Sequence, residues 1–418
     1  MASPAEDLSH VDLITPERWE ERVLHDEFAL LRHEDPVHWH PESAPNHGFW
    51  AITKHEDVVA VSKNPQVFSS GEGLTMLEEV EPESLEKRRS LIDSDAPLHQ
   101  HLRRVVSPLF TPKAINAHEA FARATAARLL DAAVAQGEFD WVLDVAEPLP
   151  ITVLLNILGV PPADAEQMIT LSNQMIAIDD PDYAPDYDSL PPGIDPKDLP
   201  FGSPASYHVF EYGRQIGEER RAHPTDDLVS RLIHSEVDGD RLTELEYCNM
   251  FQILILAGNE TTRTTLTHGM GAFIDNPDQL ALLRERPELM GAAVEEIIRW
   301  ATPVLYMRRT ALSDTELRGK QIAEGDKVVM WYMSANYDEA VFDDPHAFDI
   351  TRDPNPHLGF GGGGPHFCLG AWLARLQIRV LLEELLRRDL QLESNGPVRR
   401  VRSNFVNGVK SMPVRVAR

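Results

Sequence analysis

Residues 360–370 read FGGGGPHFCLG, a glycine-rich loop that carries one cysteine, Cys368, near its end. Four consecutive glycines and Pro365 favour a tight, irregular backbone and exclude a helix or a strand over this stretch. Apolar residues at helical spacing follow, from Leu369 to Leu385, so a helix is predicted to begin at the thiol. The free N–H groups and the positive end of that helix would favour the thiolate form of Cys368.

Several chemistries are open to this loop on its residues alone. A thiolate held by backbone donors, beside glycines that let a flat ligand approach closely, suits axial ligation of a haem iron. Residues 359–364 also satisfy the dinucleotide-binding pattern GxGxxG, but the preceding Pro-rich residues 353–356 cannot form the strand that this pattern requires. Cys368 and His366 could form a nucleophile and its base, although no orienting acid is evident. A purely structural glycine loop is the remaining alternative.

The composition of the chain limits the class of protein. It has 418 residues, 42% of them hydrophobic, and no run approaches the ~18 apolar residues of a membrane span. Residues 1–12 are polar and acidic, unlike a secretory or transit peptide, so a cytoplasmic location is expected. Two cysteines, Cys248 and Cys368, argue against a disulfide scaffold. A net charge of −28 disfavours nucleic acid and anionic membranes as partners.

Hydrophobic periodicity predicts a mainly α-helical protein with a small β portion. No repeat or linker divides the chain, so a single domain over residues 1–418 is expected. The predicted helices cover residues 16–34, 95–104, 114–136, 142–158, 161–178, 244–273, 287–300 and the segment after Cys368; the predicted strands cover 49–52, parts of 320–337 and a hairpin over 401–414 that turns near Asn407-Gly408.

A second chemical signature interrupts the long helix predicted over residues 244–273. The apolar run before it gives way to AGNETT at residues 257–262. Gly258 in mid-helix costs about 1 kcal/mol relative to Ala, and a buried Glu260 costs more unless it is paired. Local inconsistency of this kind is typical of a functional site. Thr261 could bond back to a carbonyl, bend the helix and open a groove; capping of an interrupted helix is the structural alternative.

Two further segments are informative without deciding a function. His99 and Arg103 lie four residues apart on one predicted helical face and together require an anion, unless they form an ordinary solvated basic face. Residues 179–204 contain seven prolines and seven aspartates without periodicity, which is long for a loop in a compact domain. We expect a lid over a substrate channel, with Tyr183, Tyr187 and Phe201 near its mouth.

The cysteine loop resembles the haem-binding loop of the cytochrome P-450 family. It has the Phe, the glycines, a basic residue (His366) two positions before the cysteine, and Gly370 two positions after it. The family usually places its Phe seven residues before the cysteine; Gly361 holds that place here and Phe360 lies eight before. We interpret the longer loop as a trait of a subgroup that acts on branched lipids and sterols.

The resemblance implies a role for each of the other motifs. Glu260 and Thr261 match the acid and the alcohol of the family's AGx(D/E)T, which relay protons to dioxygen, while Ala257 and Gly258 leave space for it. Haem b would lie between the long central helix and the helix after the cysteine loop. Its expected contacts are Cys368 as axial ligand of the iron, His99, Arg103 and Arg309 (with Arg308 as the fallback) at the propionates, and Phe360, Gly361, His366, Gly370 and Ala257 around the ring.

The remaining motifs concern the fold and the substrate. The resemblance places Glu296, Arg299 and Arg352 in a buried charge cluster that stabilises the fold beneath the haem. The substrate contacts expected over the distal pocket are apolar: Leu74, Met76, Leu256, Ala257, Val304, Phe405 and Val406, with Leu77 and Leu305 as neighbours.

The resemblance implies a monooxygenase that inserts one atom of dioxygen into a C–H bond of an apolar small molecule. A ferredoxin and its reductase would supply electrons, because the chain carries no flavin or iron–sulfur motif. The candidates for a local basic patch that binds the acidic ferredoxin are Arg103, Arg104, Arg375 and Arg379. The motifs AGNETTR and YMRRT look most like those of actinobacterial enzymes that oxidise methyl-branched lipids, sterol side chains or terpenoids. The alternatives are a terpene-alcohol or aromatic hydroxylase, a haem-thiolate isomerase or gas sensor, and a flavin- or nicotinamide-dependent dehydrogenase.

Overall fold

The computed structural model describes residues 8–44, 46–236, 239 and 241–417. Residues 1–7 of the acidic segment at 1–12 lie outside this part of the chain. The helices are α1 (Pro16–Glu21), α2 (His25–Glu34), α3 (His55–Ser62), α4 (Pro82–Arg88), α5 (Leu98–Val106), α6 (Pro112–Asn116), α7 (Glu119–Gln136), α8 (Pro148–Leu158), α9 (Ala165–Ile176), α10 (Pro204–Ala222), α11 (Leu228–His234), α12 (Glu244–Asp275), α13 (Pro277–Glu285), α14 (Met290–Ala301), α15 (Tyr332–Ala335) and α16 (Ala371–Arg387).

The strands are short and few beside the helices, which confirms the predicted fold class. They are β1 (Val37–His40), β2 (Phe49–Ile52), β3 (Phe68–Ser69), β4 (Glu138–Asp140), β5 (Tyr306–Ala311), β6 (Thr315–Leu317), β7 (Lys320–Ile322), β8 (Lys327–Trp331), β9 (Leu392–Ser394), β10 (Arg399–Arg400), β11 (Val409–Ser411) and β12 (Pro413–Val416). The largest sheet has the order β1-β2-β8-β5-β3, in which only β2 and β8 run parallel.

Helix α12 runs through the centre of the hydrophobic core and packs against α8, α9, α10, α14 and α16. Its start is set by a capping box, in which Thr243 and Glu246 each bond to the other's backbone N–H. Gly258 allows α8 to approach closely, because a Cβ there would lie 2.9 Å from Leu154 Cδ2. Gly258 thus serves helix packing, and it also lines the cavity that contains Cys368.

Several predicted elements are divided in the structure. The helix expected over residues 16–34 breaks between α1 and α2, where Arg22 is extended. The helix expected over 142–158 begins as a π-helical turn, Val142–Ala146, and becomes α-helical at Pro148, which has no N–H to donate. The second half of the acidic segment at 78–86 lies in α4, which begins at Pro82.

The C-terminal hairpin turns at a different place from the predicted one. Strands β10 and β11 pair, and Val401 N–H donates to the Gly408 carbonyl at 3.0 Å, so Gly408 already belongs to the return arm. The Asn407 side chain is engaged elsewhere, because it donates to the Ala301 carbonyl and accepts from Arg400 at 2.7 Å. A two-residue turn at Asn407-Gly408 was therefore the wrong prediction.

Residues 179–204 form 3₁₀ turns at Pro181–Tyr183, Tyr187–Ser189, Pro196–Asp198 and Pro200–Gly202. Asp180, Asp186 and Asp195 each cap the turn that follows it through their side-chain oxygens. The aspartates thus replace the regular hydrogen bonds that the prolines cannot make. Within the described part of the chain, no helix is long and apolar enough to cross a membrane.

Candidate active site

Two adjoining cavities lie on one side of α12. The cysteine chamber, a space of about 1490 Å³ that is partly open to solvent, is lined by Cys368, His99, Arg309 and residues of α12. The lid chamber lies between α12 and Phe201 of the 179–204 segment. Seven residues line both chambers, so the two form one continuous cavity: Thr75, Ile92, Ile253, Ala257, Thr261, Val304 and Met307.

Cys368 faces the cysteine chamber, three residues before α16 begins. Its N–H donates to the Phe360 carbonyl at 3.0 Å, which closes the loop on itself. The exposed part of its side chain borders the chamber. Burial raises the pKa of the thiol. The N–H groups of Gly370 and Ala371 and the cation of Arg103 oppose that rise without reversing it. The expected preference for thiolate is therefore wrong for the protein alone; a metal ion that binds the sulfur would supply it.

The glycines of the loop are required by its backbone conformation and by its close packing. Gly361, Gly363 and Gly364 have positive φ, and a Cβ on Gly362 would lie 2.8 Å from Ser62 Cβ of α3. The dinucleotide-binding alternative fails, because residues 353–356, which are described, form no strand before the glycines. Phe360 lines the cysteine chamber, with the Arg375 guanidinium 4.4 Å from its ring centre.

Four groups that can carry positive charge gather at one end of the cysteine chamber: His99, Arg103, Arg309 and His366. The rings of His99 and His366 lie 4.1 Å apart. Burial lowers the pKa of His99 to about 4 and that of His366 to about 2, with neighbouring arginines adding to both effects. Burial also lowers the pKa of Arg309.

No described carboxylate touches either arginine of this group; Asp95 and Asp93 act on Arg309 only from a longer distance. Arg103 donates to the Phe367 carbonyl at 2.7 Å and Arg309 to the Arg308 carbonyl at 2.7 Å, and neither forms an ion pair with a described carboxylate. His99 Nε2 is buried without a hydrogen-bond partner. Two guanidinium groups that border a cavity without a carboxylate in contact favour a bound anion there. Arg308, the fallback for Arg309, lies outside the chamber and donates to the Glu78 carbonyl at 3.1 Å.

The signature in α12 is divided between two environments. Ala257 is exposed to the cavity, and the Thr261 hydroxyl donates back to the Ala257 carbonyl at 2.8 Å. Glu260 is fully buried and does not line either chamber. The predicted acid and alcohol are consecutive in the chain, but only the alcohol meets the cavity in this conformation.

Glu260 belongs to a buried charge network that sequence reasoning missed. Arg263 Nη2 lies 2.5 Å from Glu260 Oε2, and Arg263 Nη1 also donates to Glu147 and to Asn173 Oδ1, the latter at 2.9 Å. The i,i+3 spacing of Glu260 and Arg263 was a signal that could have found the pair. The lid turn Pro181–Tyr183 lies beside the network, and burial raises the pKa of Tyr183 to about 12.

The predicted structural cluster is assembled beneath the cysteine loop. Arg299 makes two hydrogen bonds to Glu296, at 2.7 and 2.8 Å, and both side chains are fully buried. Arg352 donates to Glu296 at 3.2 Å and to the Asp343 carbonyl at 2.7 Å. The cluster holds the segment before the cysteine loop against α14.

Most of the apolar positions predicted to contact substrate line the lid chamber. They are Leu74, Met76, Leu256, Ala257, Val304 and Phe405. Val406 does not, because it forms an isolated β-bridge with Val304 and is buried. Leu77 and Leu305 are also core residues outside the cavity lining. Of the lid aromatics, Phe201 lines the chamber, whereas Tyr183 and Tyr187 do not.

Comparisons with known proteins agree with this geometry. The model of the family described as Cytochrome P450 matches residues 207–407. The chain is 42% identical to a methyl-branched lipid omega-hydroxylase of Mycobacterium tuberculosis, over 93% of this chain and 90% of the relative. It is 41% identical to a steroid C26-monooxygenase of Mycolicibacterium smegmatis, over 94% and 91%. A solved Mycobacterium marinum cytochrome P450 in complex with pseudoionone superposes with a TM-score of 0.88 at 38% identity, covering 99% of this chain and all of that one.

Proposed function

The chain belongs to the cytochrome P450 family, and from that premise we propose that it hydroxylates the terminal carbon of a methyl-branched lipid, sterol side chain or terpenoid. It is a haem-thiolate monooxygenase that uses haem b and acts on an apolar substrate. The terminal position is proposed from the activities of two relatives, an omega-hydroxylase and a C26-monooxygenase.

The residues of the cysteine chamber fit haem b. Cys368 would hold the iron through its sulfur, and the uncompensated group of His99, Arg103 and Arg309 would take the propionates. The orphaned His99 Nε2 and the two arginines without carboxylate partners among the described residues are the observations that carry this fit. When bound, haem supplies the activation of dioxygen.

The chain's own residues would exclude water and move protons. The hydroxyl of Thr261 borders the cavity and can hold a proton there once it releases the Ala257 carbonyl. Glu260 would take up a proton from water and pass it to that hydroxyl as the hydroxyl gives up its own, and Glu260 must first turn away from Arg263. Arg263 remains neutralised during this movement because Glu147 keeps its own contact with the guanidinium. The apolar residues of the lid chamber would hold the substrate and keep bulk water out.

The continuous apolar cavity from Cys368 to Phe201 is the single observation that carries the substrate class. A spectral binding screen of branched fatty acids, terpenoids and sterols tests it, because a substrate changes the spin state of the iron. We expect shifts with long branched molecules and none with short polar ones. A carbon-monoxide spectrum of the haem-loaded protein and of Cys368→Ala tests the ligand: the thiolate-type Soret band must be present in the first and lost in the second.

We further propose a ferredoxin as electron donor, docking at the face of the cysteine loop. The proposed basic patch is weak there, because Arg375 pairs with Glu295 at 2.7 Å and Arg379 pairs with Glu119 at 2.8 Å. Phe367 and Trp372 are exposed on the same face and offer apolar contacts instead. Reduction by a ferredoxin should therefore be insensitive to salt or faster at high salt, since the net charge of −28 repels an acidic partner. Slower reduction at high salt would favour the basic patch.

A cytoplasmic location and a single functional domain with a lid at 179–204 complete the proposal. Both cysteines are free thiols, as expected in a reducing compartment. Phe201 and Pro200 close the lid chamber opposite Thr261, which supports the lid role. Limited proteolysis with and without a bound apolar ligand tests it, and identical cleavage within 179–204 in both states would count against a lid.

A further inference from the structure

Asn249 and Gln252 are polar residues in the apolar wall of the lid chamber. They lie three positions apart on α12 and therefore on one face of the helix. Only 5% of Asn249 and 3% of Gln252 is exposed. Buried amides of this kind are costly unless each end has a hydrogen-bond partner.

The NH₂ ends of both amides are held by backbone carbonyls. Asn249 Nδ2 donates to the Arg89 carbonyl at 2.9 Å, and Gln252 Nε2 donates to the Ser206 carbonyl at 3.2 Å. A carbonyl oxygen can only accept, so these contacts fix which end of each amide is nitrogen and which is oxygen. The amide oxygens, Asn249 Oδ1 and Gln252 Oε1, receive no hydrogen bond from any residue that the structure describes.

We propose that these two amide oxygens form a site for a hydroxyl group of the substrate, whose single hydrogen is donated to one of them. An amide oxygen only accepts, so its partner must be a donor, and a carboxylate, which only accepts, does not qualify. This inference rests on the proposed function and narrows it to amphipathic alcohols: one end is a hydroxyl held at Asn249 and Gln252, and the other is the apolar carbon that is oxidised.

The other polar groups of the lid chamber do not offer a better site for an anion. Arg88 is committed to Glu78 through two hydrogen bonds, at 2.7 and 3.0 Å. The Asp93 carboxylate accepts from the Thr75 hydroxyl at 2.9 Å and from the Ser90 hydroxyl at 2.8 Å. Among the described residues, this wall therefore leaves two amide oxygens as acceptors and one buried donor, Arg88 Nε–H, while Glu78 balances the charge of Arg88. A hydroxyl both donates and accepts, so it fits this wall better than an ether or a carboxylate.

The helix also sets the length of the substrate. Gln252 and Asn249 precede Thr261 by nine and twelve residues, which at the rise of an α-helix is about 14 and about 18 Å. The hydroxyl and the oxidised carbon should be separated by a similar distance. Extended terpenoid alcohols and sterols whose hydroxyl is far from the side chain meet this requirement, whereas small monocyclic alcohols are too short.

The test compares three ligands with one carbon skeleton: farnesol, farnesyl methyl ether and farnesoic acid. Binding to the haem-loaded protein is measured by calorimetry and by the spin-state change. The alcohol should bind about tenfold more tightly than the ether or the ionised acid, which corresponds to about 1.4 kcal/mol. In Asn249→Leu with Gln252→Met the preference should fall to about twofold or less. Gln279→Met, on α13 away from the cavity, is the matched control and should keep the full preference.

Two results would overturn the inference: equal binding of alcohol and ether to the unaltered protein, or a tenfold preference that survives both substitutions. The first comparison needs no variant, so it decides the question even if the double variant does not fold. If none of the three ligands nor any other apolar molecule binds, the proposed function fails as well. If all three ligands bind equally well, the hydroxyl site is refuted while the proposed function stands.

Discussion

Replacement of Arg263 should cause the largest electrostatic loss of folding stability in the protein. Its guanidinium is fully buried and faces two carboxylates, Glu260 at 2.5 Å and Glu147, which it also contacts. Arg263→Met keeps the volume of the side chain and removes the charge. Breaking a buried ion pair from one side costs about 3–5 kcal/mol, because the remaining charges stay buried without compensation.

The cost should depend on pH in a defined direction. Buried carboxyl groups that have lost their cation take up protons more readily than the unfolded chain does. The folded variant then gains stability relative to the unaltered protein as the pH falls, by up to about 1.4 kcal/mol per pH unit for each carboxyl group. The deficit should be largest near pH 7.5 and smaller at pH 5.5.

Denaturant unfolding of the haem-loaded proteins at these two pH values measures the effect. Arg387→Met is the matched control: Arg387 also pairs with a glutamate three residues earlier, Glu384, but its side chain is 64% exposed. Glu384 is buried but keeps Arg123 and Arg388 as partners when the exposed Arg387 is replaced, so the control should change little at either pH. A deficit in Arg263→Met no larger than that of the control, or one that grows as the pH falls, would refute the reasoning.

Three further outcomes are expected. Thr261→Ala removes the hydroxyl that borders the cavity, so the product formed per dioxygen consumed should fall several-fold while the melting temperature barely changes; unchanged coupling would contradict the proton role. Burial lowers the pKa of His25 to about 3 and of His268 to about 4, so the unfolded chain binds protons that the folded protein does not. As the pH is lowered from ~6.5 to ~4, the free energy of unfolding should therefore decrease by up to about 1.4 kcal/mol per pH unit for each histidine. Urea unfolding measures it, and a free energy that does not change over this pH range would argue against the prediction. Asp198→Ala breaks the contacts of the lid to Lys87 at 2.8 Å and to Ser84, so proteolysis within 179–204 should accelerate, with an equal rate as the contrary result.

Local patterns predicted the centre of the fold well. Helix α12 was expected over 244–273 and spans Glu244–Asp275, because its capping box and its apolar run both lie within the segment itself. Strand β2 was predicted with its observed bounds, Phe49–Ile52. The hairpin turn failed because Asn407 is held by tertiary contacts to Ala301 and Arg400, which no local pattern encodes.

The sequence motifs contain several of the residues that line the cavity, but not the contacts that orient Glu260. One cavity is lined by four residues that the motifs had singled out: Cys368, His99, Arg309 and Thr261. The motifs did not reveal that Glu260 is turned away from it, because that depends on Arg263 and on Glu147 from the end of the π-helical turn. Spatial neighbours distant in sequence decide where a buried carboxylate points, and spacing alone carries no information about them.

The construction of the 179–204 segment has a consequence for the kinetics of ligand exchange. Its seven prolines and its aspartate-capped turns restrict the chain whether or not it touches the rest of the protein. It is fastened at one end by Asp180 to Lys410 at 2.9 Å and near the other by Asp198 to Lys87. In the proposed lid role, the segment would move as a rigid unit, without unfolding, once the ion pair between Asp198 and Lys87 breaks. Because this ion pair is partly exposed, higher ionic strength should weaken it and increase the rate at which the lid opens.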